Sequence, residues 1–326
     1  MIITDRVYGE TIISEDVLIG LINSNPLQRL KGINQAGASQ FTIPGKTVTR
    51  YEHSIGVMIL LRILGAPVEE QITGLLHDVP HTAFSHVIDF VFPNKNHEFH
   101  EKFQEHIINN SEIPEILKKH GFSLERILDE KNFPLLEKNI PDLCTDRVDY
   151  FLRDMTATNY CSKERIKKYL NNLIVKDNEI ICKEKNTTKR FAEDYLVMDE
   201  SNWSHPLEVT LYNLLADAIR IGVEKSILTQ EDLFKDDQYV YSKLQNSKNN
   251  DIMRKLKMIN TNLTIKDDMN DYDFYTKNKL RYIDPKFLDE NKKIRTVSEI
   301  SPKFKKTIEK HNNWINKGFY IKIVSW

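Results

Sequence analysis

The chain of 326 residues is 40% hydrophobic and 29% charged, and its 46 basic and 47 acidic side chains leave a net charge of −1. This composition is ordinary for a globular protein, and the lack of a global positive field argues against nucleic acid as a partner. The longest apolar run, residues 56–64, contains Arg62 and is too short to cross a bilayer, so no membrane partner is expected. Three cysteines without Cys-x-x-Cys spacing are typical of reduced thiols, which predicts a cytoplasmic location.

Apolar residues recur with helical periodicity through most of the chain, which predicts a mainly α fold. Asn25-Pro26 interrupts the first stretch, so two helices, or a turn and a helix, are expected there. Gly65-Ala66-Pro67 separates the next two predicted helices, which are strongly apolar and therefore buried. The predicted helices of the first half cover residues 16–31, 54–64, 68–77, 98–109, 113–119, 124–128, 141–155 and 163–173.

The second half of the chain mixes strands and helices. Residues 174–182 alternate around Asp177-Asn178, which predicts a β-hairpin, and helices are expected over 189–199 and 206–228. Charge and Asn content rise from residue 236 onward. There we expect a loop over 245–250, strands over 280–285 and 319–324, and a helix over 301–310. These patterns divide the chain into a helical domain, 1–235, and a small C-terminal α/β lobe, 236–326.

The adjacent pair His77-Asp78 carries the most chemical information when it is combined with His53 and Asp146. Two imidazoles and two carboxylates form a mixed nitrogen and oxygen set that suits a divalent ion such as Mn, Fe, Co, Ni or Zn, whereas a structural zinc site favours thiolates. Neighbouring side chains point about 100° apart inside a helix. Pro80, however, ends the helix here and lets both side chains converge.

A His-Asp pair at the end of an apolar helix is, on its own, more often structural than functional. The surroundings favour the functional interpretation, because residues 77–97 contain four of the ten histidines in the chain. Packing alone explains such a density poorly.

Three segments together resemble the HD superfamily of metal-dependent phosphohydrolases: RYEH at 50–53, HDVPHTAFSH at 77–86 and DRVDYFLRD at 146–154. The resemblance is nearest to the branch that contains the deoxyguanosine triphosphate triphosphohydrolases and the animal sterile-alpha-motif/HD deoxynucleotide triphosphohydrolase. It implies an HD-domain helical bundle for residues 1–235. Relatives end in a small α/β lobe that often makes subunit contacts, so a homo-oligomer is expected.

Position by position, the resemblance implies that one divalent metal ion is held by His53, His77, Asp78 and Asp146. Its identity stays open among Mn, Fe, Co, Ni, Zn and Mg. At three further positions, relatives keep residues that surround the attacking water and the leaving group. A histidine at such a position suits proton transfer. These catalytic candidates are His81, Asp89 and His97. For the two histidines the alternative is a hydrogen-bonded loop residue.

The resemblance also implies a set of substrate contacts. Gln35 matches a residue that reads the sugar 3′-hydroxyl, and Arg50 and Arg147 stand at positions for phosphate binding. Tyr150 and Asp154 follow Asp146 at intervals of one helical turn, so the three share a face. The structural alternative is that the two arginines pair with nearby carboxylates such as those of Glu52 and Asp149. The full set of substrate-binding candidates is Gln35, Arg50, His86, Arg147, Tyr150, Asp154 and Tyr212.

The sequence differs from its relatives at positions that, in them, contact the sugar and the phosphates of the nucleotide. Ala36 replaces a larger apolar residue beside the sugar, Leu214 and Leu215 stand where relatives carry basic residues, and Ser204 lies near an expected arginine. We expect hydrolysis of a (deoxy)nucleoside triphosphate by a metal-activated water. The alternatives are a nucleotide mono- or diphosphate phosphatase, a phosphodiesterase, or a nucleotide-binding regulatory module with weak catalysis.

Overall fold

The computed structural model describes residues 1–92 and 103–326. The described part is mainly α, as the periodicity predicts; the first helical stretch is divided before Asn25-Pro26, and the helix predicted over 68–77 ends at Leu76. The helices are α1 Asp16–Ile22, α2 Asn25–Arg29, α3 Arg50–Ile63, α4 Val68–Leu76, α5 Val87–Val91, α6 Gln104–Asn109, α7 Ile113–Lys119, α8 Leu124–Leu128, α9 Thr145–Ala157, α10 Lys163–Asn172, α11 Lys185–Met198, α12 Pro206–Glu224, α13 Asp237–Asn246, α14 Asn250–Met258, α15 Val297–Ile300 and α16 Pro302–Lys317.

The larger apolar core forms around α3, α4 and α9. Helix α3 begins with a capping box, in which the Thr49 side chain accepts from the Glu52 amide and the Glu52 carboxylate accepts from the Thr49 amide. Helices α3 and α9 approach closely at Gly56, where an added Cβ would lie 1.9 Å from Nη2 of Arg153 and 2.1 Å from Oδ1 of Asp149. A glycine at position 56 therefore lets the helices that carry His53 and Asp146 pack together.

A second apolar core lies between α5, α12, α13 and α14. Leu211, Leu214 and Leu215 of α12 are buried in it. Asp237 at the start of α13 accepts hydrogen bonds from the amides of Asn34 at 2.9 Å and Phe84 at 2.6 Å. These hydrogen bonds cross the predicted boundary, because they join the backbone of the helical domain to a residue of the C-terminal lobe. The division into 1–235 and 236–326 stays a prediction.

Three small sheets accompany the helices in the described part of the chain. The sheet orders are β1-β2, β3-β4-β7-β8 and β5-β9-β6, and all the strand pairs are antiparallel except β4 with β7. Asp177 and Asn178 both have positive φ in the turn between β3 and β4, which confirms the predicted hairpin. The strands are β1 Ile2–Asp5, β2 Gly9–Ile12, β3 Leu173–Lys176, β4 Glu179–Cys182, β5 Thr264–Asp267, β6 Phe274–Thr276, β7 Lys286–Leu288, β8 Ile294–Thr296 and β9 Phe319–Ser325.

Two predictions for the second half are wrong. Residues 280–285 alternate in polarity but form no strand; Ile283 is buried in the core and the strand β7 begins only at Lys286. Residues 245–250 are not one loop, because α13 continues to Asn246 and α14 begins at Asn250. The predicted helix over 98–109 lies partly outside the described residues, and its described part is α6. Among the described helices, none combines the length and the apolar composition needed to cross a membrane.

A buried histidine joins α16 to the π-helical turn Asp199–Trp203 that follows α11. His311 is 2% exposed, and its Nε2 lies 3.0 Å from Oδ2 of Asp199 while its Nδ1 lies 3.3 Å from Oε1 of Glu200. Nε2 also lies 3.1 Å from the carbonyl oxygen of Arg281. Burial lowers the pKa of His311, but the two carboxylates outweigh burial and raise that pKa above its usual value.

This contact predicts a pH-dependent stability. Because the folded state holds the His311 proton more tightly than the unfolded chain, its stabilising contribution is complete below about pH 6.5 and is lost as the pH rises through the raised pKa. We expect His311→Gln to lower the free energy of unfolding most at about pH 6 and progressively less toward about pH 9. Urea unfolding of both proteins across this range measures the difference. If the difference in the free energy of unfolding between the two proteins did not change with pH, the raised pKa of His311 would be contradicted.

Candidate metal centre

Four predicted ligands converge where α3, the end of α4 and the start of α9 meet. Nε2 of His53 lies 2.9 Å and Nε2 of His77 lies 3.6 Å from Oδ1 of Asp146. Asp78 lies beside them, with Oδ1 3.6 Å from Nε2 of His77 and Oδ2 3.8 Å from Nε2 of His53. Ligand atoms of His53, His77 and Asp146 all lie within 4.8 Å of one another. The arrangement suits a single cation.

The turn after α4 explains how the adjacent residues His77 and Asp78 reach the same point. Helix α4 ends at Leu76, and the amide of Val79 donates to the carbonyl of Leu76 at 3.0 Å. Arg29 then ties the turn to α2, because its Nη2 donates to the carbonyl oxygens of Val79 at 2.7 Å and His81 at 2.9 Å.

Hydrogen bonds on the far side of each ring fix the orientation of the two histidines. Nδ1 of His53 donates to Oδ2 of Asp149 at 2.7 Å, and Nδ1 of His77 donates to the carbonyl oxygen of Gly74 at 2.7 Å. Both Nε2 lone pairs are therefore directed at the centre, which is the usual arrangement of metal-bound histidines. Nε2 of His77 is buried and has no hydrogen-bond partner among the described residues. The residues present thus fit a divalent metal ion.

A buried ion network supports His53 from behind. Asp149 accepts from Nε and Nη2 of Arg153, each at 2.9 Å, and from the hydroxyl of Tyr8 at 2.8 Å. Nη1 of Arg153 donates to Oδ2 of Asp5 at 2.9 Å. Arg153 and Asp149 are both 0% exposed. Strand β1 and helix α9 are therefore joined through the partner of a candidate ligand.

The electrostatics of the centre favour positive charge. Burial alone would lower the pKa of His77, but Asp78 and Asp146 raise it to about 10. Burial raises the pKa of Asp146, yet the adjacent imidazoles of His53 and His77 bring it well below its usual value. The pKa of Asp78 is also well below its usual value, because the charges of Arg50 and His77 outweigh the effect of burial. Carboxylates held in their charged form are what cation binding requires.

The predicted catalytic residues border the centre where the structure describes them. Nε2 of His81 donates to Oδ1 of Asp78 at 3.1 Å. Asp89 lies one turn beyond His86, and its Oδ2 accepts from Nδ1 of His86 at 3.1 Å. The rings of His81 and His86 meet edge to face at 5.1 Å, so these residues form one continuous group. His97 lies outside the described residues.

The two predicted phosphate-binding arginines are both ion-paired. Nη1 of Arg50 donates to Oδ2 of Asp78 at 2.9 Å, and its Nε donates to Ser85 at 2.9 Å. Nη2 of Arg147 lies 3.1 Å from Oε1 of Glu137. Both arginines therefore form ion pairs with carboxylates. Their partners are Asp78 and Glu137, and not the nearer Glu52 and Asp149.

Of the other predicted substrate contacts, Tyr150 lies beside a candidate ligand. The ring of Tyr150 is 6.5 Å from that of His53, and Oδ2 of Asp154 accepts from Nε1 of Trp203 at 2.7 Å. Tyr212 packs edge to face on Phe90 at 5.9 Å. Oε1 of Gln35 is buried without a hydrogen-bond partner among the described residues.

Sequence reasoning missed several charged residues near the centre. Glu130 raises the pKa of His77 through its charge, although no motif points to it. Nζ of Lys46 forms a buried ion pair with Glu208 at 2.9 Å, one turn before Tyr212. Asp149 acts behind His53, a role that its spacing from Asp146 and Arg153 in the DRVDYFLRD segment could have indicated.

Comparison with known proteins agrees with this geometry. The family described as HD domain matches residues 50–154. The chain is 41% identical to the uncharacterized protein YdhJ of Bacillus subtilis, over 99% of each chain. It is 34% identical to a protein of Cordyceps militaris named metal-dependent phosphohydrolase cns2, over 71% of this chain and 70% of that one.

A more distant similarity reaches the nucleotide-hydrolysing branch. The chain is 31% identical to the deoxynucleoside triphosphate triphosphohydrolase SAMHD1 of Gallus gallus, over 38% of this chain and 24% of that protein. All four candidate ligands lie within or at the edge of the matched HD segment and converge in the fold. The chain belongs to the HD-domain family of metal-dependent phosphohydrolases, with a likeness to its deoxynucleoside triphosphohydrolase branch.

Proposed function

We propose that this protein hydrolyses a phosphate bond of a nucleotide and holds one divalent ion through His53, His77, Asp78 and Asp146. The observation that carries the proposal is the convergence of two imidazole Nε2 atoms on two carboxylates, one of these nitrogens being buried without a hydrogen-bond partner among the described residues. A bound divalent ion supplies a water of lowered pKa and polarises a phosphoryl oxygen. Mn, Fe, Co, Ni, Zn and Mg are all compatible with this ligand set.

Side chains around the centre position and neutralise the reacting group. Arg50 lies beside Asp78 and offsets the negative charge of the transferring phosphoryl group, since phosphoryl transfer depends mainly on positioning and electrostatics. His81 and Asp89 border the centre and exchange protons with the attacking water and the leaving group. His97 belongs to the same proposed set by its place in the sequence.

The nucleoside is proposed to lie over α9. Tyr150 presents its ring one turn after Asp146, and Asp154 presents a carboxylate one turn later. The unpartnered Oε1 of Gln35 can accept a hydrogen bond from a sugar hydroxyl, which would remove the cost of a buried unsatisfied acceptor. His86, which contacts His81, and Tyr212, which contacts Phe90, are proposed to complete the nucleoside site.

The charges favour a short phosphate chain. Arg50 and Arg147 are already engaged by Asp78 and Glu137. Leu214 and Leu215 are buried and provide no cation. We therefore favour a nucleoside mono- or diphosphate as substrate. A triphosphate is the second candidate, because the SAMHD1 relative carries that activity in its name.

Product analysis tests the proposal. The purified protein is incubated with ribo- and deoxynucleoside mono-, di- and triphosphates and with cyclic nucleotides, in Mn, Co, Ni or Mg, and the products are separated by ion exchange. We expect inorganic phosphate from a mono- or diphosphate. Tripolyphosphate released from a triphosphate would support the second candidate, and opening of a cyclic nucleotide would indicate a phosphodiesterase.

The same experiment separates catalysis from binding alone. Turnover of none of these nucleotides would overturn the hydrolase proposal. If one nucleotide then still raised the melting temperature, the protein would be a nucleotide-binding regulatory module. A homo-oligomer is proposed from the likeness to relatives, and light scattering on the same preparation measures it.

A further inference from the structure

A segment of the C-terminal lobe lies against the proposed nucleotide site. Nδ2 of Asn278 donates to the carbonyl oxygen of Trp203 at 2.7 Å. Trp203 in turn donates from its indole nitrogen to Asp154 and packs edge to face on Tyr150 at 5.0 Å. Trp203 thus connects Asn278 to the face of α9 that carries the candidate substrate contacts Asp154 and Tyr150.

Arg281 is held at its backbone, and its guanidinium donates to neutral oxygens. Its carbonyl oxygen accepts from Nε2 of the buried His311 at 3.1 Å. Nη1 donates to Oδ1 of Asn278 and to the carbonyl oxygen of Lys279, each at 3.3 Å. Within residues 1–92 and 103–326, no carboxylate oxygen lies within 4.0 Å of its guanidinium nitrogens.

The charge of Arg281 acts on rings that border the centre. Burial raises the pKa of Tyr150 and of Tyr212, and Arg281 opposes the rise in both. Burial lowers the pKa of His86, and Arg50 and Arg281 lower it further. These directions agree with the contacts that run from Asn278 through Trp203 to Tyr150.

Arg281 differs from the other two arginines of the site in its freedom to bind an anion. Asp78 engages Arg50 and Glu137 engages Arg147, whereas the oxygens that accept from Arg281 within the described ranges are neutral. A guanidinium binds phosphate oxygens through paired, charge-assisted hydrogen bonds. We propose that Arg281, delivered by the C-terminal lobe, binds a phosphate of the nucleotide. This inference rests on the proposed function.

The test compares Arg281→Gln, Arg281→Lys and the control Arg295→Gln in the full-length, metal-loaded protein. Arg295 lies in the same lobe, is 48% exposed and is 3.7 Å from Asp289. We expect Arg281→Gln to raise KM for the best substrate of the nucleotide panel by roughly 10- to 100-fold, the range for losing a charged hydrogen bond. The turnover number should change less, Arg281→Lys should recover part of the loss, and Arg295→Gln should match the wild type.

A binding measurement keeps this inference separate from the hydrolase proposal. Calorimetry with the α,β-methylene diphosphates of adenosine and guanosine reports binding of analogues whose bond between the α and β phosphates cannot be hydrolysed, and product analysis of the same samples checks that the ester bond to the nucleoside also stays intact. Weaker binding by Arg281→Gln, with unchanged metal content and melting temperature, supports the phosphate contact even if the wild type consumes no nucleotide. Wild-type KM and wild-type analogue affinity in Arg281→Gln would overturn the contact and leave the hydrolase proposal standing. A wild type that neither binds an analogue nor consumes a nucleotide would overturn both.

Discussion

Replacing His77 or Asp146 with alanine is expected to remove the bound divalent ion and to abolish turnover while the protein stays folded. Each change deletes one of the convergent atoms, and the remaining ligands cannot hold the ion in an open site that activates water. The loss of activity should exceed the roughly 10- to 100-fold that loss of an outer hydrogen-bond partner causes. On the same samples, elemental analysis measures the metal content, circular dichroism measures folding, and steady-state kinetics measures turnover.

His106→Ala is the matched control, because His106 is an exposed histidine on α6 away from the centre. It should keep wild-type metal content and activity. Metal at one ion per chain, or wild-type turnover, in either His77→Ala or Asp146→Ala would show that the ligand assignment is wrong.

Arg153→Leu is expected to destabilise the protein by about 3–5 kcal/mol, the cost of breaking a buried ion pair by removing one partner. The substitution leaves the carboxylates of Asp149 and Asp5 buried without their cation. Asp149 also orients His53, so metal affinity should fall by roughly 10- to 100-fold in the protein that remains folded. Urea unfolding and metal titration measure the two effects.

Lys189→Met provides the control for this prediction. Lys189 and Glu193 have the same four-residue spacing on a helix as Asp149 and Arg153, but their side chains are 39% and 40% exposed and lie 3.9 Å apart. Exposed pairs of this kind contribute about 0.3–0.5 kcal/mol. If both variants lost the same small amount of stability, the buried network would not have the role assigned to it.

The local chemistry of the centre could be predicted from the sequence because it depends on short-range rules. Pro80 ends α4, so that His77 and Asp78 share one turn, and the interval from Asp146 to Tyr150 places both on one face of α9. These constraints need no knowledge of distant contacts.

Long-range pairing could not be read from the same patterns. Arg147 pairs with Glu137 and Arg50 pairs with Asp78, and only the packing of separate elements decides between these carboxylates and nearer ones. Residues 280–285 alternate like a strand, yet Ile283 enters the larger core and Arg281 is held by the buried His311. Alternation predicts an extended segment without revealing whether it has a partner strand.

The most direct test of the central claim is a titration of metal-stripped protein with Mn²⁺ while hydrolysis of the best nucleotide is followed. We expect no turnover without metal and a rise that saturates at one ion per chain, since one set of ligands holds one ion. Full turnover in the stripped protein, or saturation with one ion and no hydrolysis of any nucleotide, would contradict the assignment of this centre as a phosphohydrolase site.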